Sequence, residues 1–265
     1  MDDAIKKNNH TAYEYVQSVK HKLLHDNRFF VDNIFLYYLD LVIEHSATFI
    51  DAGEIFYRAR IYKEKDVYEK WRDGIALSDK FKGYSEKESG ANPNPQKAGR
   101  ANPKGISYLY AATDVDTAVL EVCNKRNTPV SVAEVKVIKK MKVLNLAEDV
   151  HIGGGEAHSK EELDELVFAF DVGCEIASEM NRTFYNDEDY LLTQFICEYV
   201  KNKGIDCILY QSTSHTGNEL EPREELSAGN NVVIFNKDAY KIISSNLYLV
   251  RNISIKKNQF MTKEK

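Results

Sequence analysis

Apolar residues in the first part of the chain repeat at the spacing of an α-helix. Within residues 11–45, side chains such as Val16 and Leu23 lie near one face of a first helix, and a denser apolar run follows as a second helix. A turn signal at residues 51–53 ends this region. The pattern therefore predicts an N-terminal helical extension over residues 1–50.

The rest of the chain changes between strand and helix patterns. In "EIFYRARIY", the alternation predicts a strand that places Arg58 and Arg60 on one face. Residues 76–105 are rich in Gly, Pro, Asn and Ser, which predicts a long loop. Further strands are predicted at 107–111, 130–137, 142–146, 205–212, 231–235 and 240–250, and helices at 114–123, 159–180 and 187–204. This order predicts a mixed α/β (α+β) domain over residues 51–250 and a flexible basic tail at residues 251–265.

Composition and charge narrow the classes of function. Hydrophobic residues make up 43% of the 265, enough to build a core without covalent cross-links. The net charge of −6 argues against a general nucleic-acid binder but is compatible with a local basic pocket. The sequence shows neither the apolar region of a signal peptide nor an apolar run long enough for a membrane span. These features predict a cytoplasmic protein that binds neither nucleic acid nor membranes.

Cysteine, histidine and glycine patterns do not indicate a metal or dinucleotide motif. His21 and His25 form H-x-x-x-H, but Lys22 occupies the position where a zinc protease needs glutamate. The glycines of "HIGGGEAHSKEE" lack the G-x-G-x-x-G order, which favours a flexible loop. No C-x-x-C pair occurs, so buried, reduced thiols are predicted for the four cysteines, Cys123, Cys174, Cys197 and Cys207. We therefore expect neither a bound metal nor a resident cofactor.

The stretch "GRANPKGISYLYAATDVDTAVLEV", residues 99–122, combines cationic, aromatic and acidic side chains. Arg100 and Lys104 lie in the predicted loop, Tyr110 in the predicted strand, and Glu121 beside the apolar stripe of the predicted helix. Spacing alone favours ordinary positions: a solvated helix surface for the glutamate, loop cations, and a tyrosine in the core or at its rim. On spacing alone, therefore, this stretch predicts structure rather than chemistry.

Four segments occur together in a specific order: "FYRAR", "GRANPKGISYLYAATDVDTAVLEV", "ILYQSTS" and "GNNVVIF". Across residues 54–235 they resemble the RES domain, a family named for arginine, glutamate and serine that includes the toxins of RES–Xre toxin–antitoxin pairs. The most specific part is the G-R-x-N-x-x-G turn, followed by a tyrosine that closes the strand and, eleven residues later, a glutamate. The matching positions are Arg58, Tyr110, Glu121 and Ser212, with Asn231 at the start of the last conserved strand.

Two positions depart from the family pattern. Gln211 stands where the family often has proline before the serine, and Ala101 stands where a tryptophan often follows the G-R pair. The first departure leaves Ser214 as an alternative to Ser212 for the site serine.

The resemblance implies a fold similar to that of ADP-ribosyltransferases, with NAD+ bound as substrate in a central cleft. It implies a toxin-like NAD+ phosphorylase or NAD+ glycohydrolase in a bacterial cytoplasm, with inorganic phosphate or water as the acceptor. An Xre-type antitoxin that covers the cleft and a second copy of the chain are the protein partners left open. The implied catalytic residues are Arg58, Tyr110, Glu121 and Ser212, and the implied NAD+-binding residues are Arg58, Arg100, Lys104, Tyr110 and Asn231.

The implied reaction explains why one carboxylate would suffice. Nicotinamide leaves NAD+ as a neutral molecule, so no proton donor is needed, whereas ordinary glycosidases need two carboxylates. An ionised Glu121 against the ribose would stabilise the cationic oxocarbenium ion, and Arg58 offers a planar fork to the pyrophosphate or to an attacking phosphate. Two alternatives stay open. One is transfer of ADP-ribose to a protein by the same site, and the other is a non-catalytic module in which the N-terminal helices bind a partner and the pocket only senses a nucleotide.

Overall fold

A mixed α/β fold is built on one eight-stranded sheet in the computed structural model, which describes residues 11–63, 83–123, 125–147, 159–182, 186–212 and 229–250. The helices are α1 (Ala12–His25), α2 (Asn33–Ser46), α3 (Glu86–Ser89), α4 (Val115–Val122), α5 (Lys160–Asn181) and α6 (Leu191–Asn202). The strands are β1 (Ala47–Ile50), β2 (Ile55–Ile61), β3 (Leu109–Ala112), β4 (Thr128–Val137), β5 (Met141–Leu146), β6 (Cys207–Gln211), β7 (Asn230–Ile234) and β8 (Tyr240–Val250). The predicted fold class is confirmed.

Two neighbouring strands of the sheet, β2 and β3, pair over a single residue each. The strand order of the sheet is β1-β5-β6-β7-β3-β2-β4-β8, and neighbouring strands are antiparallel except for the parallel pair β5 and β6. Whereas β2 pairs with β4 along all seven of its residues, it meets β3 only at Tyr57 and Ala112. This junction leaves backbone groups of both strands open to other partners, and it lies beside the candidate site.

Side-chain caps fix where the helices begin. Thr11 forms a capping box with Glu14 at the start of α1, and Asp32 caps α2. At the start of α4, Asp114 accepts hydrogen bonds from the backbone N–H and the hydroxyl of Thr117, at 2.8 and 2.7 Å. These caps place α1 and α4 where the apolar periodicity predicts them.

The two N-terminal helices share a hydrophobic core with later parts of the chain. Val16 of α1 and Phe35 of α2 belong to the same buried cluster as Ile176 of α5, Ile196 of α6 and Val233 of β7. Burying a side chain of this size contributes about 1.5–3 kcal/mol to the free energy of unfolding. Helices α1 and α2 therefore contribute to the same core, and the domain boundary at residue 50 stays a prediction.

Three local features differ from the sequence-based predictions. A short strand at Ala47–Ile50 was not predicted, because four residues are too few to show a clear alternation. The helix predicted over residues 187–204 opens with a 3₁₀ turn, Asp187–Tyr190. Cys174 is exposed, so its predicted burial is wrong: it lies on the side of α5 away from the buried Val172 and Ile176, whereas the other three cysteines are buried.

Parts of the predicted loop and tail lie outside the described residues. From residue 83 to residue 105 the chain is irregular except for the short α3, in agreement with the predicted loop, whereas residues 76–82 and 251–265 are not described. None of the helices in the described ranges is long and apolar enough to cross a membrane.

Candidate active site

A cleft with a volume of about 690 Å³ lies at the junction of β2 and β3. This volume falls in the usual range for small-molecule sites, roughly 300–1,000 Å³. Its walls come from β2, β3, β6, β7, α4, α3 and the chain next to β2 and α3. The lining side chains with chemical interest are Arg58, Arg60, Tyr84, Tyr110, Glu121 and Asn231.

Glu121, in the last turn of α4, is held by two donors on one of its oxygens. Ser212 donates from Oγ to Glu121 Oε1 at 2.5 Å, and Asn231 donates from Nδ2 to the same oxygen at 2.8 Å. Oε2 receives no hydrogen bond from any described residue. The carboxylate is exposed, as helix spacing indicates, but its exposed side faces the cleft. The site thus presents an oriented carboxylate with one oxygen open to a ligand.

Strand pairing and the helix cap bring these three residues together. Asn231 pairs with Ala112 at the end of β3 and with Tyr210 in β6, so it lies at the middle of the sheet. Asp114, the cap of α4, accepts a hydrogen bond from the Gly229 N–H at 2.9 Å. The start of α4 is therefore tied to the start of β7, which sets Glu121 against Asn231.

Arg58 occupies the gap where β2 and β3 separate. Its Nη1 donates to the Tyr110 carbonyl at 2.7 Å, while its Nε is buried and has no hydrogen-bond partner among the described residues. Burial, together with the neighbouring charge of Arg60, lowers the pKa of Arg58 to about 10. The guanidinium is still cationic at neutral pH, and it has donors left for an anion.

Tyr110 lines the cleft, but its hydroxyl is engaged elsewhere. The hydroxyl donates to Asn102 Oδ1 at 2.6 Å and accepts from the Ala101 N–H at 3.0 Å. Burial raises its pKa, so the phenol stays neutral. A Cβ at position 99 would lie 2.8 Å from this hydroxyl oxygen, which explains why Gly99 starts the turn. Only the ring of Tyr110 is therefore left to contact a ligand.

Arg100 and Lys104 are not brought to the cleft with the other predicted residues. Arg100 donates from Nη1 to the Met180 carbonyl and from Nη2 to the Arg182 carbonyl at 2.8 Å, and its guanidinium carbon lies 5.7 Å from the centre of the Tyr210 ring. It therefore binds carbonyls at the C-terminal end of α5, where helix carbonyls lack intrahelical partners. Lys104 is exposed in a turn. Their contacts with NAD+ stay predictions.

The turn at residues 99–102 is anchored to α6 by two residues that the sequence did not single out. Thr193 Oγ1 donates to the Arg100 carbonyl at 2.6 Å. Gln194 Nε2 donates to the Gly99 carbonyl at 2.8 Å and to the Asn102 carbonyl at 3.2 Å. A threonine and a glutamine inside an apolar helix were the available signal, because buried polar side chains need partners.

Two further residues of the cleft, Arg60 and Tyr84, also had no predicted role. The alternation in β2 placed Arg60 on the same face as Arg58, and the structure confirms that both line the cleft. Ser214, the alternative to Ser212, lies outside the described residues. Among the described residues, no group of three or more His, Cys, Asp or Glu side chains is arranged for a metal.

Comparison with known proteins identifies one family. The RES domain family model matches residues 70–252, a range that includes Tyr110, Glu121, Ser212 and Asn231 and begins after Arg58. No curated protein matches the chain. A chain in the crystal structure of the M. tuberculosis MbcT–MbcA toxin–antitoxin complex is similar at 12% sequence identity and a TM-score of 0.37, covering 80% of this chain and 92% of that one. This similarity is too low to support an argument about function.

Proposed function

Because the chain belongs to the RES domain family, we propose that it degrades NAD+ by cleaving the bond between nicotinamide and ribose. The observation that carries this proposal is the oriented carboxylate of Glu121, which has one oxygen open to a cleft that also contains Arg58. Family membership supports an activity on NAD+, and the geometry supports the finer assignment of roles.

Glu121 is the proposed catalytic residue. As the bond to nicotinamide breaks, positive charge develops on C1″ and the ring oxygen of the ribose, and a carboxylate beside them stabilises this charge. The charge is much weaker in the ground state, so the interaction favours the transition state selectively. Ser212 and Asn231 both donate to Oε1, which leaves Oε2 as the oxygen that faces the ribose.

The remaining residues bind and orient the substrate. Arg58 supplies charge-assisted hydrogen bonds to the pyrophosphate, for which its buried Nε and its second terminal nitrogen have donors left. The ring of Tyr110 packs against the nicotinamide or its ribose. In this arrangement Ser212 is assigned the role of a donor that orients the carboxylate of Glu121.

The reaction needs an acceptor but no proton donor. The C1″–N bond breaks, its electron pair goes to the nicotinamide ring, and an oxygen of phosphate or water forms the new bond to C1″. The proton of the acceptor passes to solvent. Phosphate gives ADP-ribose 1″-phosphate, and water gives ADP-ribose.

Incubation of the purified chain with NAD+ labelled in its adenine, with and without inorganic phosphate, tests the proposal. We expect release of nicotinamide and a labelled small-molecule product whose identity reports the acceptor. Label attached to protein would instead indicate transfer of ADP-ribose to a macromolecule. Unchanged NAD+ after long incubation would contradict the proposal and favour a nucleotide-sensing or partner-binding module.

A toxin role follows from the same activity. The family resemblance includes the toxins of toxin–antitoxin pairs, and depletion of NAD+ would stop growth of the cell that makes the enzyme. We therefore propose that a partner protein holds the activity in check. Expression in a bacterium should lower cellular NAD+ and arrest growth, and Glu121→Gln should abolish both effects.

A further inference from the structure

The cleft extends past Arg58 to a second guanidinium that the mechanism above does not use. Arg60 lies two residues further along β2, about 7 Å at the rise of a strand. β2 meets β3 at Tyr57 and Ala112, and Ala112 in turn pairs with Asn231. Arg60 is therefore further than Arg58 from the end of the cleft where Glu121 and Asn231 meet.

Neighbouring groups hold Arg60 in place. Its Nη1 donates to the Glu88 carbonyl, and its guanidinium carbon lies 5.7 Å from the centre of the Tyr84 ring. The Tyr84 hydroxyl donates to the Ile61 carbonyl and accepts from the Lys63 N–H, both at 3.1 Å. Tyr84 is thus fixed by the last residue of β2 and by Lys63, two residues after β2, and it presents a rigid surface for the guanidinium. The other N–H groups of Arg60 have no partner among the described residues.

The two arginines are neighbouring cations in the cleft, and the acidic side chain beside them, Glu88, is bound through its carboxylate to Ser85 and has only an electrostatic interaction with Arg60. Neither Arg58 nor Arg60 makes an ion pair with any residue in the described ranges. Both guanidinium groups line one cleft from positions two residues apart on β2, so their like charges repel each other, in the direction in which Arg60 lowers the pKa of Arg58. An anion that contacts both would remove this repulsion and use the spare donors. A pyrophosphate has two linked phosphates, so each phosphate can contact one of two cations that follow each other along one strand.

We propose that Arg60 binds the phosphate of NAD+ next to adenosine while Arg58 binds the phosphate next to the nicotinamide ribose. This inference rests on the proposed function and specifies the class of substrate that the cleft selects. Together the two arginines make the enzyme prefer a dinucleotide over nicotinamide mononucleotide, which has a single phosphate. Arg60 is then a specificity-determining residue, held in place by Tyr84.

The test compares nicotinamide release from NAD+ and from nicotinamide mononucleotide. We expect Arg60→Gln to lower the ratio of kcat/KM for NAD+ to kcat/KM for nicotinamide mononucleotide by about tenfold or more. The reason is that the substitution removes a charge-assisted contact that only the dinucleotide makes. Arg60→Lys, which keeps the charge but not the planar fork, should lie in between. Arg126→Gln is the matched control, because Arg126 is exposed before β4 and does not line the cleft. Circular dichroism and the Tm of each variant would show that it is folded.

An unchanged ratio of the two kcat/KM values would overturn the inference while leaving the proposed function intact. The ratio is unchanged if Arg60→Gln loses activity equally with both substrates or loses it with neither. A higher KM for inorganic phosphate at an unchanged ratio would assign Arg60 to the acceptor. If the wild-type chain releases nicotinamide from neither substrate, the proposed function fails and calorimetry with ADP-ribose decides the inference. Weakening of ADP-ribose binding by about tenfold in Arg60→Gln would support it, and unchanged binding would refute it.

Discussion

Arg100 and Arg58 come from two of the four segments that resemble the RES family, yet their surroundings differ. The guanidinium of Arg100 is bonded to two carbonyls at the end of α5, and the turn around it is tied to α6 by Thr193 and Gln194. Arg58 instead has a buried Nε without a partner among the described residues. The polar groups of the turn form hydrogen bonds within the fold, whereas some polar groups of the cleft have no partner in the part of the chain that the structure describes and are available to a ligand.

The difference matters because an unpaired buried donor is costly. Leaving such a group without a hydrogen bond costs about 1–3 kcal/mol, and more for a charged group. The fold tolerates this cost at Arg58 and leaves Glu121 Oε2 open as well. In a cleft, a ligand can complete the hydrogen bonding of such groups, and this difference is the reason for proposing Arg58 rather than Arg100 as the binding residue.

The largest expected effect is that of Glu121→Gln on kcat for nicotinamide release. The variant keeps the shape of the side chain and removes the charge that stabilises the oxocarbenium ion, so kcat for nicotinamide release should fall by about 10³-fold, or ~4 kcal/mol in barrier height. Asp116→Asn is the matched control, because Asp116 is an exposed acid in the first turn of the same helix. A Glu121→Gln enzyme with near-normal kcat would remove the cleft from consideration as the active site.

Much of this cleft could be predicted from the sequence. The period of two in β2 placed Arg58 and Arg60 on one face, and the helical period of α4 placed Glu121 at the edge of its buried stripe. These are local properties, because the backbone geometry of a strand or helix fixes the relative directions of nearby side chains. The order of the four family segments then supplied the long-range pairing that brings Glu121, Ser212 and Asn231 together.

The role of the turn could not be predicted in the same way. Arg100 resembles a binding residue in sequence, and its partners are the carbonyls of Met180 and Arg182, about eighty residues away. A hydrogen bond to a backbone carbonyl leaves no signature in the identity of the partner residue, so the sequence contains no sign of it. Arg60 was given no role for a related reason, since its partners are again a backbone carbonyl, that of Glu88, and the ring of Tyr84, more than twenty residues away in the sequence.

Substitution of the two arginines tests the comparison directly. Arg58→Gln should raise KM for NAD+ by about 10–100-fold, equivalent to ~1.4–2.7 kcal/mol of binding, because a charge-assisted contact with the pyrophosphate is lost. Arg100→Gln should instead lower the free energy of unfolding by about 1–2 kcal/mol, because it removes donors from two carbonyls at the end of α5. Steady-state kinetics and urea denaturation of both variants measure the two effects.

The comparison fails if the two arginines exchange their effects. A large increase in KM for Arg100→Gln at unchanged stability would return Arg100 to the NAD+-binding set that the family resemblance implies. Arg58→Lys serves as a control within the cleft, since it keeps the positive charge and should recover part of the lost affinity.

The smallest effect is expected at Tyr110, which belongs to both regions. Tyr110→Phe removes the hydroxyl that joins Asn102 Oδ1 to the Ala101 N–H and keeps the ring that lines the cleft. Loss of these two bonds should lower the free energy of unfolding by about 1–2 kcal/mol, measured by urea denaturation, while kcat/KM for NAD+ stays within about twofold. Tyr110→Ala removes the ring as well and should lower both quantities. A Phe variant of normal stability with a large loss of kcat would mean that the hydroxyl leaves the turn and takes part in catalysis.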